Sequence, residues 1–255
     1  MTAIDYGLLD RHGATQAIFF PRPDWTQGPE WSTDLAIPVE PDVRVGARIY
    51  AFDPELPSIL YFHGNGEVAS DHDELSRYYR HAGANLLVAE FRGYGRSDGI
   101  PTFERLVADG PIVAEAFHEI LDEVGFDAPR FIMGRSLGSH PALEIAAKAA
   151  TGFSGLVIES GAWNVRRMAE RFGAGAEAAA LGDAHEAKLR GIGLRTLIIH
   201  GERDDLVPLA SAEALRDLLT CERELLVLQG AGHNDLTWLR GPEYFEAIGK
   251  FVKGG

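Results

Sequence analysis

The sequence predicts an α/β fold with a mostly parallel central sheet, helices on both faces and antiparallel strands near its amino terminus. Three observations carry this. From Ser58 onward six short apolar runs, SILYFHG, NLLVAEFRG, RFIMGRS, SGLVIESG, LRTLIIHG and RELLVLQG, alternate with helical stretches, the pattern of parallel strands buried on both sides. Seven of the 13 prolines fall in residues 1–57, among alternating segments such as DLAIPVE and VRVGARIYAF, which suit edge strands and turns. The 255 residues are 45% hydrophobic and 24% charged, with no internal duplication, linker or low-complexity tract, a balance that suits one large domain over residues 1–255.

The helices between the runs follow from spacing. In PTFERLVADGPIVAEAFHEILDEVG, Phe103, Leu106, Val107, Ile112, Ala116, Phe117 and Ile120 recur mostly every three to four residues, and Gly110 with Pro111 predicts a kink. Near the carboxyl end Tyr244, Phe245, Ile248, Phe251 and Val252 form one stripe, read as a core face. The 32 residues from Ala162 to Gly193, between the fourth and fifth runs, exceed a simple crossover helix and predict a small cap after the sixth strand.

Composition excludes several classes of function. Lys plus Arg is 24 against 38 Asp plus Glu, and the formal charge of −14 repels phosphate backbones and anionic headgroups. Nucleic acid and membrane are therefore not expected partners. Asp5, Asp10 and Arg11 interrupt any apolar leader, and no run approaches the roughly 20 residues of a membrane span, so a soluble, cytoplasmic protein is expected. The single Cys221 can make no internal disulfide and reads as an inert thiol. His72, within DHDE, has metal-ligand residue types but no paired-histidine spacing, so acidic residues at a helix start explain it better. Neither metal nor other cofactor is expected.

The pattern G-x-S-x-G occurs twice, at Gly95–Gly99 and Gly134–Gly138. A nucleophile elbow needs a strand that ends at the serine and a helix that begins at once, so that the hydroxyl stands above the sheet edge. Ser136 follows FIM and precedes LGSHPALEIAAKAA, a strong helix former. Ser97 lies past the end of its strand and is followed by DGIP, where Gly99 and Pro101 prevent immediate helix formation. Ser136 is the candidate nucleophile.

Taken in order, strand-HG, FRGYGRSDG, GRSLGS, HGERDDLVP and GAGH resemble the α/β-hydrolase superfamily from about Ser58 to the end. The HGNGE, FRGYGRSDG and GRSLGS segments look most like the lidless or small-cap ABHD13/BEM46-like serine hydrolases. The resemblance implies hydrolysis at an ester, thioester or amide carbonyl. One departure is Glu90, where the family pattern leads one to expect Asp before the Arg-Gly-Tyr-Gly turn; it touches a structural turn more than the chemistry.

A serine hydroxyl needs a hydrogen-bonded imidazole to take its proton, and a buried carboxylate holds that imidazole in the useful tautomer. In this fold the chain order is serine, acid, histidine. Of nine histidines only His233, in QGAGHND, follows the last plausible acid. The resemblance places the acid at Asp204 by its Gly-x-x-Asp spacing from Gly201, with Asp205 and Glu159 as alternatives. His200 reads as a packed strand-end residue. Two backbone N–H groups should hold the oxyanion: that of Leu137, which follows the nucleophile, and, by resemblance, that of Asn65 in HGNGE, with Gly66 close behind. HGNGE is not a phosphate loop, since no GK[ST] follows.

Trp163, Met168 and Phe172 have helical spacing within the candidate cap and are read either as acyl-pocket walls or as core. Arg135 could meet an anionic group but more readily pairs with an acidic neighbour. The resulting expectation is a serine hydrolase that cleaves a carboxylic ester of a small or medium acyl substrate through an acyl-enzyme. Thioester or peptide cleavage is an alternative, as is a non-catalytic binding module on the same fold.

Overall fold

The structure, a computed structural model, describes residues 4–254. Two short helices, α1 (Gly7–Arg11) and α2 (Ala14–Ile18), precede β1 (Thr33–Glu40), β2 (Val43–Tyr50) and β3 (Ser58–Phe62). Then come α3 (Leu75–Ala82), β4 (Asn85–Ala89), α4 (Phe103–Glu123), β5 (Arg130–Arg135), α5 (Ser139–Lys148) and β6 (Phe153–Glu159). The chain ends with α6 (Val165–Arg171), α7 (Ala176–Arg190), β7 (Thr196–Gly201), α8 (Leu209–Leu218), β8 (Arg223–Leu228) and α9 (Leu236–Val252). The eight strands form one sheet in the order β1-β2-β4-β3-β5-β6-β7-β8. β1 to β2 and β2 to β4 are antiparallel, and every other pair is parallel. The six apolar runs are the six parallel strands, and the proline-rich start supplies the antiparallel pair, with Pro38 on the edge strand β1.

Alternate residues of each inner strand serve opposite faces. Leu60, Phe62, Leu87, Ile132, Ile158 and Ile198 enter the larger core, whose helical contributors include α4, α5 and α7. Ile59, Tyr61, Leu86, Phe131, Val157 and Ile199 face the smaller one, which α3 and α9 cover with Tyr79, Tyr244, Ile248 and Val252. A strand flanked by helices on both sides has no polar face to offer, which is why these runs read as continuously apolar.

Two local expectations change. α4 runs unbroken through Gly110 and Pro111. Gly110 instead marks a close approach, since a Cβ there would meet Pro141 of α5 at 3.0 Å. The interruption falls in α9, where Arg240 leaves helical geometry at φ −129° just before Gly241 and Pro242, as a proline ring does to the turn ahead of it. In the segment 162–193, α7 packs against α5 and α8 as the crossover between β6 and β7, while α6 and the turn after it border a cleft described below. Among the described residues no helix is long and apolar enough to cross a membrane.

Candidate active site

β5 ends at Arg135, and the backbone turns at once through a single 3-10 turn, Ser136–Gly138, into α5. Ser136 sits at φ +48°, one of two non-glycine residues with positive φ among those described, a strained geometry that raises its side chain above the strand end. The flanking glycines make the turn possible. A Cβ on Gly138 would collide with the Phe62 carbonyl, and one on Gly134 would collide with the Gly138 carbonyl. The Ser136 carbonyl is held in turn by the Ala162 N–H at 3.3 Å and the Ser139 hydroxyl at 2.6 Å. Ser97 has a different setting. It lies in the turn after β4, where its Oγ accepts the Gly46 N–H at 2.9 Å.

His233 stands in the loop after β8 with Nε2 3.0 Å from Ser136 Oγ and Nδ1 2.7 Å from Asp204 Oδ2. Asp204 occupies the loop after β7. Its Oδ1 accepts the N–H groups of Leu206 at 3.0 Å and Val207 at 2.8 Å, which fixes the carboxylate in an Asx-type turn. Burial would raise the Asp204 carboxyl, but the hydrogen bonds from His233 and the Val207 N–H outweigh it and hold the group below the usual carboxylate range. An ionised Asp204 accepts only, so His233 Nδ1 carries the proton and Nε2 presents its lone pair to the serine. The alternatives lie elsewhere. Asp205 is exposed. Glu159 is engaged by Arg135 Nε at 3.0 Å and the Tyr244 hydroxyl at 2.7 Å. His200 is fully buried, with Nε2 2.8 Å from the Val207 carbonyl.

The HGNGE loop follows β3. Among the described residues, neither the Asn65 nor the Leu137 main-chain N–H is taken up by a hydrogen bond within the protein. The Asn65 side chain anchors the loop from outside. Its Oδ1 accepts the Tyr94 hydroxyl at 2.7 Å and the Phe20 N–H at 3.1 Å, and its Nδ2 donates to the Ile18 carbonyl. Arg22 adds a bond to the Gly66 carbonyl at 3.0 Å. Under the loop, His63 is fully buried with Nε2 3.2 Å from Glu90 Oε2, and Glu90 Oε1 also accepts the Ala69 N–H at 2.8 Å. The longer side chain at position 90 thus ties the loop to the turn after β4.

Arg135 pairs with acids, as its sequence neighbours suggest, and does more. It meets Glu159 at 3.0 Å and Glu67 more closely, and Nη2 donates to the His233 carbonyl and to Asn234 Oδ1, each at 2.9 Å. Burial alone would raise Glu67; His72 and the guanidinium instead hold it well below the ordinary range. The other histidine singled out by its acidic neighbours, His72, is buried edge-on against the Tyr61 ring at 4.8 Å between centroids. Asp71 and Asp73 beside it pair with Arg22 and Arg48.

A cleft of about 260 Å³ shares Ala162 with the surroundings of the Ser136 elbow and is lined by Ile18, Met168, Phe172, Leu206 and Val207 together with Arg167 and Arg171. Met168 and Phe172 therefore reach the cleft. Trp163 does not; it is buried with its indole N–H donating to the Ser211 carbonyl at 2.8 Å. Helical spacing placed the three together, but Trp163 precedes α6 and turns inward.

The family described as serine aminopeptidase, S33 (Hydrolase_4), matches residues 54–180, which include the HGNGE loop and the Ser136 elbow. An esterase of Pyrococcus furiosus has a similar structure at TM-score 0.72 and 17% identity, covering 92% of this chain and 99% of that one. The chain has the α/β-hydrolase fold. Another structural neighbour within this superfamily fold, Est1E of Butyrivibrio proteoclasticus with ferulic acid bound, gives TM-score 0.69 at 17% identity over 86% of this chain and 98% of that one. Human α/β-hydrolase domain-containing protein 17B is 29% identical over 204 residues, 76% of this chain and 66% of its own length. The α/β-hydrolase domain-containing protein aho-3 of Caenorhabditis elegans is 27% identical over 202 residues, 76% of this chain and 57% of its own. The chain thus spans less than two thirds of the length of these curated α/β hydrolases.

Sequence reasoning missed the anchors Ile18, Phe20 and Arg22 and the bridging role of Glu67. Tyr94, inside FRGYGRSDG, carried the one available signal.

Proposed function

We propose that the chain is a serine hydrolase that cleaves a carboxylic ester through an acyl-enzyme, with Ser136 as nucleophile, His233 as general base and Asp204 as its orienting acid. The continuous relay of 3.0 Å from Ser136 Oγ to His233 Nε2 and 2.7 Å from His233 Nδ1 to Asp204 carries this reading, because it begins on a strained elbow. The family match and the relatives support a hydrolase at the coarser level.

In the forward step Ser136 Oγ attacks the carbonyl carbon as its proton passes to His233 Nε2, and the carbonyl oxygen becomes an oxyanion. The free N–H groups of Leu137 and Asn65 are the donors we assign to it, each worth roughly 10²- to 10³-fold in rate. The imidazolium, stabilised by Asp204, then protonates the departing alkoxide. Water deacylates Ser136 by the same path, with His233 again as base. The assigned chemistry places no requirement for a metal or cofactor on the site. The substrate is a small molecule, and no nucleic acid or membrane takes part.

Peptide cleavage by the same machinery is the second reading, favoured by the description of the matching family. Labelling with a fluorophosphonate tests the shared chemistry. Wild type and Ser97→Ala are expected to label, and Ser136→Ala is not. Turnover of p-nitrophenyl esters against aminoacyl p-nitroanilides then separates the two readings.

A further inference from the structure

The cleft bordered by α6 is one hydrogen bond from the candidate machinery at three of its lining residues. Ala162 donates to the Ser136 carbonyl at 3.3 Å, Val207 to Asp204 at 2.8 Å, and the Ile18 carbonyl accepts from Asn65. Its apolar lining comes from half-buried Met168, Phe172 and Val207 and from exposed Leu206. Its charged lining is different. Arg167 and Arg171 lie one turn apart on α6, both exposed and both lining the cleft.

In a chain of charge −14, an arginine finds carboxylates readily. Arg166, their neighbour, pairs with Asp183 and Glu186 on α7. Among the described residues no carboxylate lies within 4.0 Å of Arg167 or Arg171. Asn164, the remaining polar side chain of the cleft on this segment, is occupied by the Arg167 main-chain N–H at 2.9 Å. Two guanidinium groups that line one short, mostly apolar cleft form a receptor for a planar anion.

We propose that Arg167 and Arg171 select an ester that carries a carboxylate on its acyl or its alcohol part. The proposal rests on the serine hydrolase reading and adds the substrate class. An acyl part would be a short dicarboxylic half-ester; an alcohol part would be a hydroxy acid.

Two pairs of chromogenic substrates distinguish the sources. p-Nitrophenyl hydrogen glutarate is compared with p-nitrophenyl butyrate for the acyl side, and 4-carboxyphenyl acetate with its methyl ester for the alcohol side. Taking the ratio of variant to wild type within each pair cancels intrinsic reactivity. In R167Q/R171Q, kcat/KM for the charged member of one pair should fall about tenfold more than for its neutral partner, as expected for lost hydrogen bonds to a charged group. Raising NaCl from about 0.1 to about 1 M, which shortens the screening length from about 10 to about 3 Å, should reduce the wild-type preference in the same pair. Equal losses within both pairs, with Ser136 still labelled by fluorophosphonate, would overturn the carboxylate assignment alone. Absence of labelling in wild type would overturn the hydrolase reading beneath it.

Discussion

Arg135, the residue before Ser136, donates from Nη2 to the main-chain carbonyl of His233 at 2.9 Å. The same guanidinium holds Glu67 of the HGNGE loop and Glu159 at the end of β6, and Glu67 Oε2 accepts the Gly64 N–H at 2.9 Å. One side chain therefore sets the spacing between the loop that carries the histidine and the loop assigned to the oxyanion. Arg135→Gln should lower kcat by about 10²-fold with a much smaller change in KM, since misplacement of about 1 Å is enough for such a loss. Arg135→Lys should recover part of kcat. The variant also leaves Glu67 and Glu159 without their cation, so its melting temperature should fall, and rates are to be measured below that temperature. A loss confined to KM would place Arg135 in substrate binding instead.

Asp204→Asn should reduce kcat by about 10⁴-fold, because an amide no longer enforces the Nδ1–H tautomer of His233. Asp205→Asn should change it little, since Asp205 is exposed and stands outside the relay. Steady-state rates of the two purified variants decide the point. Equal damage would remove Asp204 from its assigned role.

The buried histidines make a prediction about acid stability. Burial, reinforced by nearby Lys188, pushes His140 down to about 3, and the same causes hold His185 well below its usual value. His140 is neutral in the folded protein at pH 5 and His185 is held toward the same neutral form, whereas the unfolded chain protonates both near 6.5. The unfolded state then binds more protons, so stability is full above about pH 6.5 and declines as pH falls toward 3, by up to about 1.4 kcal/mol per pH unit for His140, with His185 adding in the same direction. Urea unfolding between pH 7 and 4 should show this slope, and His140→Leu should make it shallower. An unchanged slope would mean that His140 protonates in the folded state.

Short and medium acyl esters should be cleaved with higher kcat/KM than long ones. The cleft of about 260 Å³ falls just below the range of about 300–1,000 Å³ usual for small-ligand sites, and α6 covers one side of it with only seven residues. A series of p-nitrophenyl esters of increasing acyl length checks this. A rate that rises steadily to long chains would contradict it.

How much of this was legible depends on distance along the chain. The Ser136 elbow is local: a strand end, two glycines and a helix start within a few residues. Asp204 and His233 were found through chain order and family spacing, although 29 residues separate them. The anchors of Asn65 were not legible, because Phe20 reaches it across 45 residues and Tyr94 across 29, through polar atoms that no periodicity marks. Trp163 stayed open between pocket wall and core because spacing shows which residues share a helix face, not where the helix begins. Gly110 with Pro111 read as a kink because a glycine beside a proline has the same appearance whether the chain bends or a neighbouring helix, here α5, comes close.

The bonds from Ile18, Phe20 and Arg22 to Asn65 and Gly66 bear on which stretch of chain is portable. The family match begins at residue 54, downstream of all three. A chain trimmed to that boundary would keep the serine and the loop sequence while losing the outside brace that aims the loop, and grafting HGNGE into another scaffold would meet the same deficit. For protein engineering, the smallest transferable unit of this site therefore begins well ahead of the segment that the family model matches.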